Sequence, residues 1–102
     1  MIKPTVGRKV WYRPSAHDCT GIAAMQAVKG QPLDATVIAV WGDRMVNLLV
    51  TDITGKQFPK LSTTLVQDDD ALPMQGPQDA AGAPTPGGYA EWMPYQKSQA
   101  AA

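Results

Sequence analysis

The stretch Leu33–Gln67, LDATVIAVWGDRMVNLLVTDITGKQFPKLSTTLVQ, decides the fold. β-Branched residues recur at Val37, Ile38, Val40, Val46 and Val50, and neither Gly nor Pro interrupts the arms on either side of Gly42-Asp43-Arg44. The pattern breaks again at Asp52-Ile53-Thr54-Gly55-Lys56, where Gly55 supplies the positive φ a tight turn needs. The spacing therefore predicts a β-hairpin followed by a third strand over Gln57 to Gln67, in an antiparallel meander. Phe58, Leu61, Leu65 and Val66 are its candidates for burial, and Pro59 places its start at an edge or bulge.

The first arm has an unusual property. Leu33, Ala35, Val37, Ala39 and Trp41 alternate onto one face and Thr36, Ile38 and Val40 onto the other, so both faces are substantially apolar. Such a strand is covered on both sides, which in so small a protein points to a homo-oligomer, or it carries a bulge at Ala39-Val40 that switches faces. In the second arm Val46, Leu48 and Val50 form a core face and Asn47, Leu49 and Thr51 a mixed one open to a subunit or ligand.

Upstream, residues 1 to 6 read as a lead-in and Lys9-Val10-Trp11-Tyr12-Arg13 as the first strand, ended by Pro14. Val10 and Tyr12 share one face, Lys9, Trp11 and Arg13 the other, and either aromatic could be the buried one. Ser15 to Gln31 is either a long recognition loop or a loop holding a short helix closed by Gly30. Within it, His17-Asp18-Cys19 reads as a solvated polar loop, because sequence neighbours rarely face each other as a nucleophile and its base, and zinc would lack further ligands.

Downstream the composition changes. Residues 68–88 are rich in Pro, Gly and Ala and read as a flexible linker after a barrel domain at 1–67. Asp68-Asp69-Asp70 lacks the Gly and terminal Glu of a calcium loop and reads as a solvated, strand-ending charge run. Residues 89–97 then place Tyr89, Trp92, Met93 and Tyr95 close together, a segment that docks on its own barrel or on a neighbour's, before a polar tail at 98–102. The fold expected is mainly β: a small SH3-like barrel of four to five antiparallel strands with a docked C-terminal aromatic segment.

Formal net charge is zero, which argues against nonspecific grip on a polyanion. Residues 1 to 60 nonetheless carry eight Lys or Arg against four acids, so the folded half is mildly basic. The single cysteine, Cys19, excludes an internal disulfide and fits a cytosolic setting. Neither a signal-like apolar start nor an apolar run of about eighteen residues is present, so a membrane partner is not expected.

The blocks GRKVWYRP (7–14), DRMVNL (43–48), LVQDDD (65–70) and EWMPYQK (91–97) resemble a family of small proteins encoded by tailed bacteriophages and prophages. That resemblance implies a non-enzymatic, cofactor-free binding role in the bacterial host cytoplasm, often one that modulates host defence. Capture of a nucleotide-type small-molecule signal in an oligomeric pocket would need cations for phosphate and aromatics for the base. Arg8, Arg13 and Arg44, with Trp11, Trp41, Asn47, Trp92 and Tyr95, form the candidate ligand-binding set, to which Lys9 and Tyr12 are adjacent. A nucleic-acid-binding SH3-like module is the first alternative and a phage structural or assembly protein the second.

Overall fold

The computed structural model describes residues 1–20, 24–67, 70 and 88–101. Five strands, β1 (Lys9–Arg13), β2 (Leu33–Gly42), β3 (Met45–Thr51), β4 (Gln57–Val66) and β5 (Tyr89–Glu91), close into a small SH3-like barrel in that order. A single 3₁₀ turn spans His17–Cys19, and a helix, α1, spans Pro94–Ala101. β1 to β4 form the antiparallel meander, and β5 closes it by pairing antiparallel with β1. The remaining seam, β4 with β5, is parallel, which corrects the all-antiparallel expectation. Parallel neighbours need a connection of roughly a dozen residues or more, and the chain from 67 to 88 is long enough. The linker expected at 68–88 lies, apart from Asp70 and Gly88, outside the described residues.

Alternation places the core. Val10 and Tyr12 of β1, Leu33, Ala35 and Val37 of β2, Val46, Leu48 and Val50 of β3, Leu65 of β4 and Ala90 of β5 point inward, and Trp92 plugs the barrel beside them. Tyr12 is thus the buried aromatic of the first strand and Trp11 the half-buried outer one. The aromatic segment docks in cis, as a strand of the barrel itself. Beyond it the expected polar tail is helical: Pro94 preorganises the first turn, and the Gln96 side-chain oxygen accepts from the Met93 amide at 2.8 Å, capping the start.

Two expectations about the meander needed correction. Leu61, assigned to the core, is 68% exposed. It lies where Leu48 pairs with Lys60 but Val46 with Thr63, so Leu61 and Ser62 bulge out opposite Asn47, and Ser62 takes a φ of +49°. In β2 the register shifts twice, between Val37 and Ala39 and between Val40 and Gly42, either side of the expected bulge. Trp41, expected on the face of Leu33 and Val37, is consequently turned away from the core and is 65% exposed, and Ile38 on the other face is 44% exposed. No α-helix forms over 24–31; residues 24–28 have no regular secondary structure, and Gly30 serves a turn at φ +81°.

Candidate functional site

The chain's loop architecture starts from Asp18. Its side chain is 5% exposed and accepts from the Tyr12 hydroxyl at 2.6 Å, the Ser15 amide at 2.9 Å and the Lys60 ammonium, while the Ser15 hydroxyl accepts from the Asp18 amide at 3.2 Å. Burial pushes the carboxyl up, but the bonds from Lys60, Tyr12 and Ser15 outweigh it and hold Asp18 below the ordinary range. The same burial, and then Asp18 itself, pushes the Tyr12 phenol well up. For Asp18 the solvated-loop reading is therefore wrong: it ties the loop to β1 and β4. Gly88 lies against this pair, and a Cβ there would collide with the Tyr12 hydroxyl.

Asp52 does the same for the opposite side of the loop. Its carboxylate accepts from the Thr54 hydroxyl at 2.6 Å and from the amides of Gln26, Thr54 and Lys56 at 2.9–3.1 Å. The Thr54 hydroxyl, then these amides, outweigh burial and hold its pKa at about 2. Gly55 completes this turn at φ +89°, as the sequence requires.

Between these two fixed points the loop walls a cleft of about 370 Å³ at the end of β1. Pro14, Ala16, Ala27 and Val28 line it, Arg13 and Lys29 supply positive charge, and no carboxylate is among its described lining residues. The Gly30 carbonyl accepts from Arg13 Nη1 at 3.1 Å, and the Glu91 carboxylate accepts from Nε at 2.9 Å. The guanidinium carbon stands 5.6 Å from the Trp11 ring, and Tyr89 is the cross-strand partner of Arg13. Burial and Glu91 push the Tyr89 phenol up, against Arg13. An oriented cation between two aromatics can accept an anionic, planar group. Lys29 forms no ion pair among the described residues. Cys19 borders the cleft with its thiol pushed up by burial and then by Asp18, the reverse of what a nucleophile needs.

The eight sequence candidates do not converge. Trp11 and Arg13 meet beside the cleft. Trp41 and Asn47 meet elsewhere, with the indole N–H donating to Asn47 Oδ1 at 2.9 Å. Arg44 is held by Asp70 through bonds of 2.7 and 3.4 Å, so Asp70 is an ion-pair partner rather than part of a solvated run. Trp92 is 1% exposed and cannot meet a ligand; its N–H donates to Gln67 Oε1 at 3.1 Å, and Arg8 covers its ring at 5.8 Å. Tyr95 is 71% exposed on α1 rather than docked. Lys29 was missed, although a Lys-Gly turn in a recognition loop was the available signal.

Electrostatically, the basic excess of the folded half is largely answered at short range. Lys9 pairs with Asp34, Arg13 with Glu91, Arg44 with Asp70 and Lys60 with Asp18. Among the described residues, no group of three or more His, Cys, Asp or Glu gathers to hold a metal ion. Among the described residues, no helix is long and apolar enough to cross a membrane. Compared with family models, curated proteins and solved structures, the chain finds no match in any of the three.

Proposed function

We propose that this chain is a non-enzymatic binding protein that captures a small anionic ligand of nucleotide type in the cleft between the end of β1 and the 24–31 side of the loop. The observation that carries the reading is the cleft's combination of apolar walls, two cations, of which Lys29 has no ion-pair partner among the described residues and Arg13 is oriented by Glu91, and no carboxylate in its described lining. Its volume falls within the roughly 300–1,000 Å³ of small-ligand sites. Lys29 and the Arg13 guanidinium are placed to meet phosphate oxygens, and the Trp11 ring lies 5.6 Å from that guanidinium. The phage resemblance supports a setting in the infected bacterial cytoplasm, where removal of a nucleotide signal serves counter-defence. A polyanion fits less well, because Lys9, Arg44 and Lys60, which do not line the cleft, are engaged by carboxylates.

Calorimetric titration with mononucleotides, cyclic dinucleotides and inorganic phosphate tests this. One nucleotide class should bind, and Lys29→Glu should weaken it by about tenfold or more, the scale of one charge-assisted hydrogen bond. Absence of heat with every probe at millimolar concentration, or tight salt-dependent binding of mixed-sequence DNA or RNA instead, would overturn it.

A further inference from the structure

A carboxylate that does not line the cleft grips one of its two cations. β5 runs beside β1 with Trp11 opposite Glu91 and Arg13 opposite Tyr89, so Glu91 reaches Arg13 across the diagonal of that ladder. Its Oε1 accepts from Arg13 Nε at 2.9 Å, and both side chains are largely withdrawn from water, Arg13 30% and Glu91 21% exposed. The Gly30 carbonyl accepts a second bond, from Nη1, which holds the guanidinium next to the backbone that carries Lys29. Two of the five guanidinium N–H groups are thereby used by the described residues, and the others remain for a ligand.

The charges round the cleft do not cancel. Arg13 and Lys29 are positive and Glu91 negative, while Asp18, next in sequence to the lining Cys19, is matched by Lys60. A single positive charge is left over. We infer that Glu91 makes the cleft selective for a phosphodiester, which carries one negative charge, over a phosphomonoester, which carries nearly two above neutral pH. The inference rests on the cleft being the nucleotide site proposed above. A bound diester leaves the site neutral, whereas a bound monoester leaves a negative charge uncompensated near Glu91. Attraction to fixed charges grows in proportion to the ligand's charge, but the cost of taking that charge out of water grows with its square. A site of one net positive charge therefore favours the singly charged ester. Glu91 exerts this effect through the field it sets around Arg13 and without lining the cleft, so it determines specificity and is not itself a contact.

Calorimetry of the full chain at about pH 8 tests the assignment with two esters of each common ribonucleoside, the 3′,5′-cyclic monophosphate and the 5′-monophosphate. Each pair shares a base and differs in phosphate charge. The parent should bind the cyclic ester more tightly, by roughly threefold or more, a comparison that needs no variant. Glu91→Gln keeps the side chain's size and an oxygen for Arg13 Nε while removing the charge. Because the coulombic change scales with ligand charge, a gain of about threefold for the cyclic ester should accompany one of about ninefold for the 5′-monophosphate. The preference should thus shrink about threefold with circular dichroism unchanged, whereas a residue that only braced the fold would move both affinities together. Equal affinities in the parent, a tighter 5′-monophosphate, or a preference that Glu91→Gln leaves unaltered would overturn the inference while the nucleotide cleft stands. Binding of neither ester with any base would remove both.

Discussion

Two tryptophans in this protein make the same hydrogen bond in opposite surroundings. Trp92, 1% exposed, donates to Gln67 at 3.1 Å, and Trp41, 65% exposed, donates to Asn47 at 2.9 Å. In the first case the bond permits burial, since an indole N–H in the core without a partner costs about 1–3 kcal/mol. In the second, water could replace the bond at little loss, so its effect is to fix orientation. One chemistry holds the barrel shut in one place and presents a surface in the other.

The largest expected effect lies on the buried side. Trp92→Ala should cost about 3–5 kcal/mol, the range for removing a large aromatic from a core. Small domains of this kind have about 5–15 kcal/mol in total, so the variant should melt far below the parent or fail to fold. Urea denaturation followed by circular dichroism measures it. Trp92→Phe, which keeps a ring and loses the N–H, should fall between the two; equality with the parent would show that the Gln67 bond is dispensable.

Gln67 should come next. Its amide uses both ends: Nε2 donates to the Ile2 carbonyl at 2.7 Å and the Asp43 carbonyl at 2.8 Å, and Oε1 accepts from Trp92 and, at 3.3 Å, the Ile2 amide. Gln67→Leu keeps the volume and leaves these groups unpaired, for an expected loss of about 2–3 kcal/mol. The same denaturation curve reads it, and release of the N-terminal lead-in should appear as faster amide exchange at Ile2.

These two residues also mark how far the sequence could be read. Alternation in β1, β2 and β3, and the glycine turn at Gly55, depend on neighbours in the chain and were legible as a barrel. The Gln67–Trp92 bond joins residues 25 positions apart across the closing parallel seam, and no local pattern announces a glutamine as a core residue. Asp18 was misread for the same reason, since its partner Lys60 is 42 residues away. Trp11 with Arg13 was legible because they alternate on one strand, whereas Lys29 joins them only through the fold of the loop. Leu61 was misassigned because a bulge reverses the side that alternation gives it.

Acid provides a milder way to separate the two regions. Asp18 and Asp52 hold the loop, and both have folded pKa values below the usual carboxylate value of about 4. Depressed values favour the charged, folded form. Their contribution is therefore whole above about pH 4 and is lost as pH falls through about 2, the folded value of Asp52. Melting temperature should be level near neutrality and drop below pH 4, and Asp52→Asn should flatten that drop.

The smallest effect on stability should come from Trp41 itself. Its indole lies outside the core, and substitutions at exposed positions usually change stability by no more than about 0.5 kcal/mol. Trp41→Ser should therefore unfold with the parent in urea. Its fluorescence should nevertheless differ sharply. Acrylamide reaches an exposed indole and not a buried one, so the parent should show a strongly quenched fraction that Trp41→Ser lacks, leaving partly accessible Trp11 and protected Trp92. A stability loss approaching that of Trp92→Ala would mean that Trp41 carries core packing, and the contrast between the two tryptophans would disappear.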